Sequence, residues 1–321
     1  MRVLSGIQPS GKLHIGNYFG AMKHHIELQE EHKNPLYFIA DYHAITTLQG
    51  NALTQNILDV ALDYVALGLD PKKTILFKQS DVSMVTELAW ILSSVTPMGL
   101  LERCHSYKDK VSHGLLPNHG IFAYPVLMAA DILIYQSQLV PVGKDQKQHI
   151  EVSRDIALKF NHVHGDIFTI PEEIILSHLA IIPGIDGQKM SKSYNNTIEI
   201  FEDENLLRKK VMRIVTDCKQ VEEAKDPKTC NLFKLYQLFA TKEEEATLAK
   251  RYKEEPLSYK EVKEALYEKI VTYFKPFKEK RSELARDIYY VKKILQEGAE
   301  KANIIANETM IKVRKALGVV L

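Results

Sequence analysis

From residue 1 to residue 200, short apolar runs alternate with stretches whose apolar residues recur every three or four positions. That order of elements is what a parallel sheet with crossover helices requires. Val3-Leu4, Leu36-Tyr37-Phe38-Ile39-Ala40, Thr74-Ile75-Leu76-Phe77 and Leu139-Val140-Pro141-Val142 read as strands, and Ile181-Ile182 as the end of the sheet. Ile75-Leu76-Phe77 is apolar on both faces, so it belongs inside a covered sheet. Leu53, Ile57, Val60, Ala61, Tyr64 and Leu67 form one helical face that stops at Gly68, with Pro71 just beyond. Further helices are expected over Ser80 to Val95, with the only tryptophan, Trp90, in the core, over Phe122 to Tyr135 and over Asp145 to Phe160. Residues 97–120 break the pattern and read as an insertion, partly helical and then loose.

Beyond residue 193 the texture changes. Residues 201–321 are rich in Lys and Glu, with stripes such as Leu232, Leu235, Tyr236 and Phe239 and no strand pattern, so a helical domain of four or five helices is expected there. A chain of 321 residues suits two domains better than one ordinary core. Residues 201–321 carry 26 Lys and Arg against 21 Asp and Glu, so the first 200 carry 16 against 20. A basic helical part beside an acidic sheet permits contact with a polyanion. No run reaches the roughly 18 apolar residues of a membrane span, and Met1-Arg2-Val3-Leu4-Ser5 lacks a secretory pattern. A cytoplasmic protein without membrane contact is expected. Cys104, Cys218 and Cys230 form no close pair, which argues against a disulfide framework or a metal knuckle.

Three stretches carry chemistry. In Gly187-Gln188-Lys189-Met190-Ser191-Lys192-Ser193 two lysines and two serines crowd together. On a helix Lys189 and Lys192 would repel each other; in a loop they can converge on a polyphosphate and meet charge that develops on cleavage. A solvated basic turn looks the same. Gly6 to Asn17 follows the first strand and opens a helix, where free N–H groups favour a nucleotide. There Gly16 lets a base approach the backbone, and His14 can donate to phosphate. A glycine-rich turn is the plainer reading. Tyr124, Met128 and Asp131 fall at i, i+4 and i+7, on one helix face. A carboxylate among Leu127, Ala129, Ala130, Ile132 and Leu133 is costly to bury unless something donates to it, and an indole N–H is such a donor. Alternatively, Asp131 faces water or caps a neighbouring element.

His14-Ile15-Gly16-Asn17 and Lys189-Met190-Ser191-Lys192-Ser193 together resemble the HIGH and KMSKS pair of class I aminoacyl-tRNA synthetases. Asn17 stands for the final histidine, as in the tryptophan branch. Tyr124 to Asp131, Gly6 to Gly11, Val142 to His149 and Glu297 to Asn303 extend the likeness to bacterial-type tryptophanyl-tRNA synthetases over almost the whole chain. The resemblance implies an α/β fold: a Rossmann-like doubly wound parallel sheet over residues 1–193, with the insertion at about 97–120. A helical tRNA-anticodon-binding domain would follow over residues 194–321, its last helix packing back on the first domain.

The activity implied is ATP-dependent activation of L-tryptophan to tryptophanyl-adenylate, then transfer to tRNA(Trp), by a homodimer. Mg2+ would arrive with ATP, and no protein-only metal site is expected. By position, His14, Lys189, Lys192 and Lys110 would be catalytic, with Lys108 a solvated neighbour. Gln8, Pro9, Ser10, Gly16, Asn17, Gly143, Lys144, Asp145, Ile181, Lys189, Met190, Ser191, Lys192 and Ser193 would contact ATP. Asp131 would take the indole nitrogen with Met128 on the ring, Tyr124 and Gln146 would meet the amino group, and Gln8 and His43 complete the tryptophan set. Three departures stand out: Lys144 where an acid is common, Leu4 where an aromatic is common, and a short loop before Lys189. A tyrosyl-tRNA synthetase, a tRNA-independent adenylyltransferase and a catalytically idle RNA-binding relative remain as alternatives.

Overall fold

The computed structural model describes residues 1–104, 118–143, 146–175 and 182–320. They form two compact units. One comprises Met1–Gly11, His25–Leu176 and Leu284–Leu321; the other comprises Lys12–His24 and Ser177–Glu283.

The first unit is built on parallel strands. β1 (Leu4–Ile7), β2 (Leu36–Ile39) and β3 (Ile75–Lys78) pair in that order, with Leu4 opposite Leu36 and Leu36 opposite Ile75. β4 (Leu139–Val142) pairs with β5 (Glu172–Ile175), and a parallel bridge from Val3 to Leu139 joins the two sets. The order is therefore β3-β2-β1-β4-β5, with the chain reversing direction across the sheet between β1 and β4. Among the described residues the last strand of the sheet is β5, and Ile182 is not part of it. β5 begins with two glutamates, which hide it from an apolar-run criterion, whereas Ile182 accepts from the Met190 N–H in the second unit and Ile181 lies outside the described residues.

Helices cover the sheet as their apolar spacing requires. The helix Asn51–Ala66 buries Val60, Ala61 and Tyr64 and is closed by Gly68 at φ +115°, a conformation open to glycine. The helix Met84–Ser93 buries Val85, Leu88 and Leu92. Trp90 lies off that stripe and is 79% exposed, so the core position expected for it is wrong. The helix Ile288–Leu317 packs on β3, turning Ala299, Ala302, Ala306, Met310 and Val313 into the core shared with Leu36, Phe77, Leu88 and Leu133. Gly298 is its point of closest approach, since a Cβ there would sit 1.9 Å from the Leu76 carbonyl oxygen. Backbone cannot yield as a side chain can. Gly298→Ala is expected to destabilise this unit by about 3 kcal/mol, read as a fall in urea midpoint; an unchanged midpoint would mean the helix can shift freely.

The second unit is helical over Glu204–Met212, Asn231–Gln237, Lys242–Glu254 and Tyr259–Leu284, and no strand occurs among its described residues after 200. The compact units do not divide at residue 194. Residues 12–24 group with residues 177–283, and the last helix groups with the sheet. The cause is long-range pairing: Ile15 donates to the Ile198 carbonyl and Ile200 to the Leu13 carbonyl. Among the described residues no helix is long and apolar enough to cross a membrane.

Candidate active site

In the second unit the two signature stretches touch. His14 stands opposite Glu199 in an antiparallel bridge and caps the helix that follows. Its Nδ1 accepts the Asn17 backbone N–H at 3.3 Å, while the Asn17 side-chain oxygen accepts the His14 N–H at 3.1 Å. Asn17 thus completes a reciprocal cap. The helix then runs as one α turn (Ile15–Asn17), a π-helical segment (Tyr18–Met22) and an α-helix (Lys23–Glu31). The π-helical segment was invisible in the apolar spacing. It presents Tyr18 and Phe19 together to Phe239, Tyr273 and Phe274, ring against ring.

Gly16 donates its N–H to the Met190 sulfur at 3.4 Å, and a Cβ on Gly16 would lie 2.9 Å from the His14 ring. Met190 is buried, and its N–H donates to the Ile182 carbonyl at 2.8 Å. The Lys189–Ser193 stretch is therefore the far arm of a tight turn, with Lys189 paired to Pro183 and Gly187 at φ +85°. Lys189 is exposed and Lys192 half-buried. Burial lowers the Lys192 pKa and Glu199 opposes that shift.

Burial, helped by the Lys192 charge, pushes the His14 pKa from 6.5 down to about 4. The ring is neutral at physiological pH. With Nδ1 occupied as an acceptor, its proton sits on Nε2, which can donate to an anion. The unfolded chain takes up the proton first, so this site weakens folding as pH falls from 6.5 toward about 4. An NMR titration should find the His14 ring midpoint near 4. A midpoint at the ordinary histidine value would contradict a neutral, buried ring.

In the first unit, polar side chains gather beyond the carboxyl ends of β2 and β3, where parallel sheets hold ligands. Asp131 is 1% exposed. Its Oδ2 accepts from His43 Nε2 at 2.8 Å and from Gln79 Nε2 at 2.9 Å, and Gln79 also reaches Oδ1 at 2.8 Å. The protein itself supplies two of the donors that a buried carboxylate needs, His43 and Gln79. Burial raises the Asp131 pKa, opposed by His43 and Gln79. Gln79 Oε1 accepts the Tyr42 N–H at 3.0 Å, which orients the amide with its nitrogen toward Asp131. Among the described residues Gln79 is the donor at Oδ1, so that oxygen keeps acceptor capacity for one more N–H.

Gln79 escaped the sequence reading. The signal was its place immediately after the buried strand β3.

Tyr124 meets His149 Nε2 through its hydroxyl at 2.6 Å and stands edge-on to His43. Met128 is half-buried one turn before Asp131. Gln146 opens the helix Lys147–His164 and donates its N–H to the Gly143 carbonyl at 2.9 Å. After β1, Gln8 and Ser10 are exposed and Pro9 is buried, its carbonyl held by Asn56 at 3.1 Å. Lys108, Lys110, Lys144, Asp145 and Ile181 lie outside the described residues.

A doubly wound sheet with polar groups at its strand ends, and a His-Ile-Gly-Asn cap seated on a Lys-Met-Ser-Lys-Ser turn, define a class I synthetase. The family described as tRNA synthetases class I (W and Y) matches residues 1–275. The chain is 52% identical over 319 residues to the tryptophan–tRNA ligase of Rhodopirellula baltica, with 99% of each covered. It is 51% identical to that of Campylobacter jejuni strain RM1221, over 99% of this chain and 100% of the other. The crystal structure of tryptophanyl-tRNA synthetase from Campylobacter jejuni complexed with ADP and tryptophan superposes with a TM-score of 0.92 at 51% identity, covering 99% of this chain and 100% of that one. The chain belongs to the tryptophan–tRNA ligase family.

Proposed function

We infer that this chain activates L-tryptophan with ATP and transfers it to tRNA(Trp), and that Asp131 selects the amino acid. The observation that carries the selection is a buried carboxylate, fixed by His43 and Gln79, with acceptor capacity left on Oδ1. Tyrosine and phenylalanine offer no N–H on the ring to fill it. Met128 packs on the indole, and Tyr124, Gln146 and Gln8 meet the amino acid's polar end.

In the first step the tryptophan carboxylate attacks the α-phosphorus of ATP. A carboxyl–phosphorus bond forms, the bond to the β-phosphate breaks, and its electron pair leaves with pyrophosphate. The nucleophile is ionised at neutral pH, so no general base is required. Catalysis rests on alignment and on groups that meet the moving charge. His14 donates from Nε2, while Lys189, Lys192 and Lys110 bring positive charge. ATP enters as its magnesium complex. Gly16, Asn17 and Met190 to Ser193 in the second unit, with Gln8, Pro9, Ser10, Gly143, Lys144, Asp145 and Ile181, make up the ATP set. A ribose hydroxyl at the end of tRNA(Trp) then attacks the adenylate carbonyl and releases AMP. The helices after residue 194 take the anticodon, and the working form is a cytoplasmic homodimer. Trp90 and Met98, 79% and 62% exposed, support a covered surface in that dimer.

Pyrophosphate exchange with tryptophan, with tyrosine and with no amino acid, followed by tRNA charging, tests the reading. Exchange that tyrosine supports as well as tryptophan, or exchange without charging, would overturn it.

A further inference from the structure

Asn196 is 1% exposed and lies outside both signature stretches. Its side-chain oxygen accepts the Ser191 N–H at 2.7 Å. Its amide nitrogen donates to Asp186 Oδ1 at 2.8 Å and to the Lys189 carbonyl at 3.0 Å, and its own carbonyl accepts the Ile185 N–H at 3.0 Å. Three side-chain partners leave one orientation for the amide. They also reach both arms of the turn.

The sequence provides for this placement. Lys192–Tyr194 forms a single 3-10 turn, and Asn195 at φ +51° ends it in the left-handed region that asparagine tolerates. The chain then brings Asn196 back beneath the loop. Gly184 leaves the room it needs, since a Cβ there would lie 2.4 Å from the Asn196 amide.

Lys189 and Ser191 flank Met190. Holding the carbonyl of one and the N–H of the other fixes the backbone across Met190, and with it the spacing and direction of Lys189 and Lys192. The sulfur of Met190 in turn receives the Gly16 N–H. One buried amide therefore ties the lysines to the segment that carries His14.

We propose that Asn196 is a positioning residue for amino acid activation, setting the backbone across Met190 so that Lys189 and Lys192 meet the same triphosphate. This rests on the reading that those lysines face the phosphates.

Asn196→Asp keeps the acceptor for Ser191 but sets oxygen against Asp186 and the Lys189 carbonyl. It should lower kcat of tryptophan-dependent pyrophosphate exchange by about 100-fold, with KM for tryptophan unchanged. Adding Asp186→Asn restores a donor and acceptor pair with reversed polarity, because the new amide can accept from Gln188, as Asp186 does at 3.0 Å, and donate to residue 196. The double variant should recover about tenfold. A residue that merely supports folding would not give that recovery, nor confine its loss to kcat.

Wild-type kcat in Asn196→Asp would overturn the proposal. So would equal losses in kcat and tryptophan affinity with no recovery in the double variant. Lys192→Ala, measured alongside, separates the two layers. If it is impaired while Asn196→Asp is not, only the role of Asn196 fails; if it is unimpaired, the reading of the lysines fails.

Discussion

Asp131→Ala is expected to erase most of the roughly 10⁴-fold preference that a site built around a ligand N–H provides, while leaving KM for ATP unchanged. The reason lies in the hydrogen bonds. In the intact chain Asp131 is buried, with His43 on one oxygen and Gln79 on both. An amino acid whose ring lacks an N–H must cover the remaining lone pair and leave it unsatisfied, which penalises it. With alanine that penalty disappears, and tryptophan in turn loses its acceptor. Selection collapses from both sides. His14, Lys189 and Lys192, which the proposed function sets against the phosphates, belong to the other compact unit. Asp131→Asn should behave similarly, because its amide would face the Gln79 nitrogen with donor against donor. The ratio of kcat/KM for tryptophan over phenylalanine in pyrophosphate exchange checks the expectation, and an unchanged ratio would remove Asp131 from the role.

Lys192→Ala is expected to cost about 3 to 4 kcal/mol of transition-state stabilisation, a loss of 10² to 10³ in kcat, with little change in tryptophan affinity. Lys192 is half-buried, and burial holds its pKa below the usual lysine value, though Glu199 works against that shift. A charge partly removed from water acts more strongly on a phosphate than a solvated one. His14 stays neutral beside it and contributes a hydrogen bond without competing charge. Single-turnover formation of the adenylate separates this step from tRNA transfer. Retention of the wild-type rate would mean that the loop does not reach the triphosphate.

Much of this was legible in the residues. The runs at Leu36, Ile75 and Leu139 marked buried strands because both faces of a covered sheet are apolar, and Gly68 marked the end of a helix because only its φ suits glycine. The two lysine and histidine stretches stood out by composition. Features that depend on distant partners did not. β5 opens with Glu172-Glu173 and is a strand by virtue of its neighbour β4. Gln79 and Asn196 look like ordinary surface amides until burial gives them partners. The π-helical segment reflects the aromatic contacts of Tyr18 and Phe19 with residues more than two hundred positions away. The grouping of residues 12–24 with residues 177–283 likewise follows from long-range pairing, of Ile15 with Ile198 and of Leu13 with Ile200. Trp90 is different: the spacing of Val85, Leu88 and Leu92 already excluded it from the buried face.

In the proposed function, selection of the amino acid rests on one buried carboxylate that recognises its N–H. The most direct measurement compares tryptophan with 3-(benzothiophen-3-yl)alanine, whose ring has nearly the same shape but carries sulfur in place of the N–H, as substrates for pyrophosphate exchange by the intact chain. Asp131 as the acceptor predicts a kcat/KM lower by about 10⁴-fold for the sulfur analogue. A value within about tenfold of tryptophan, the discrimination a purely hydrophobic pocket gives, would contradict it.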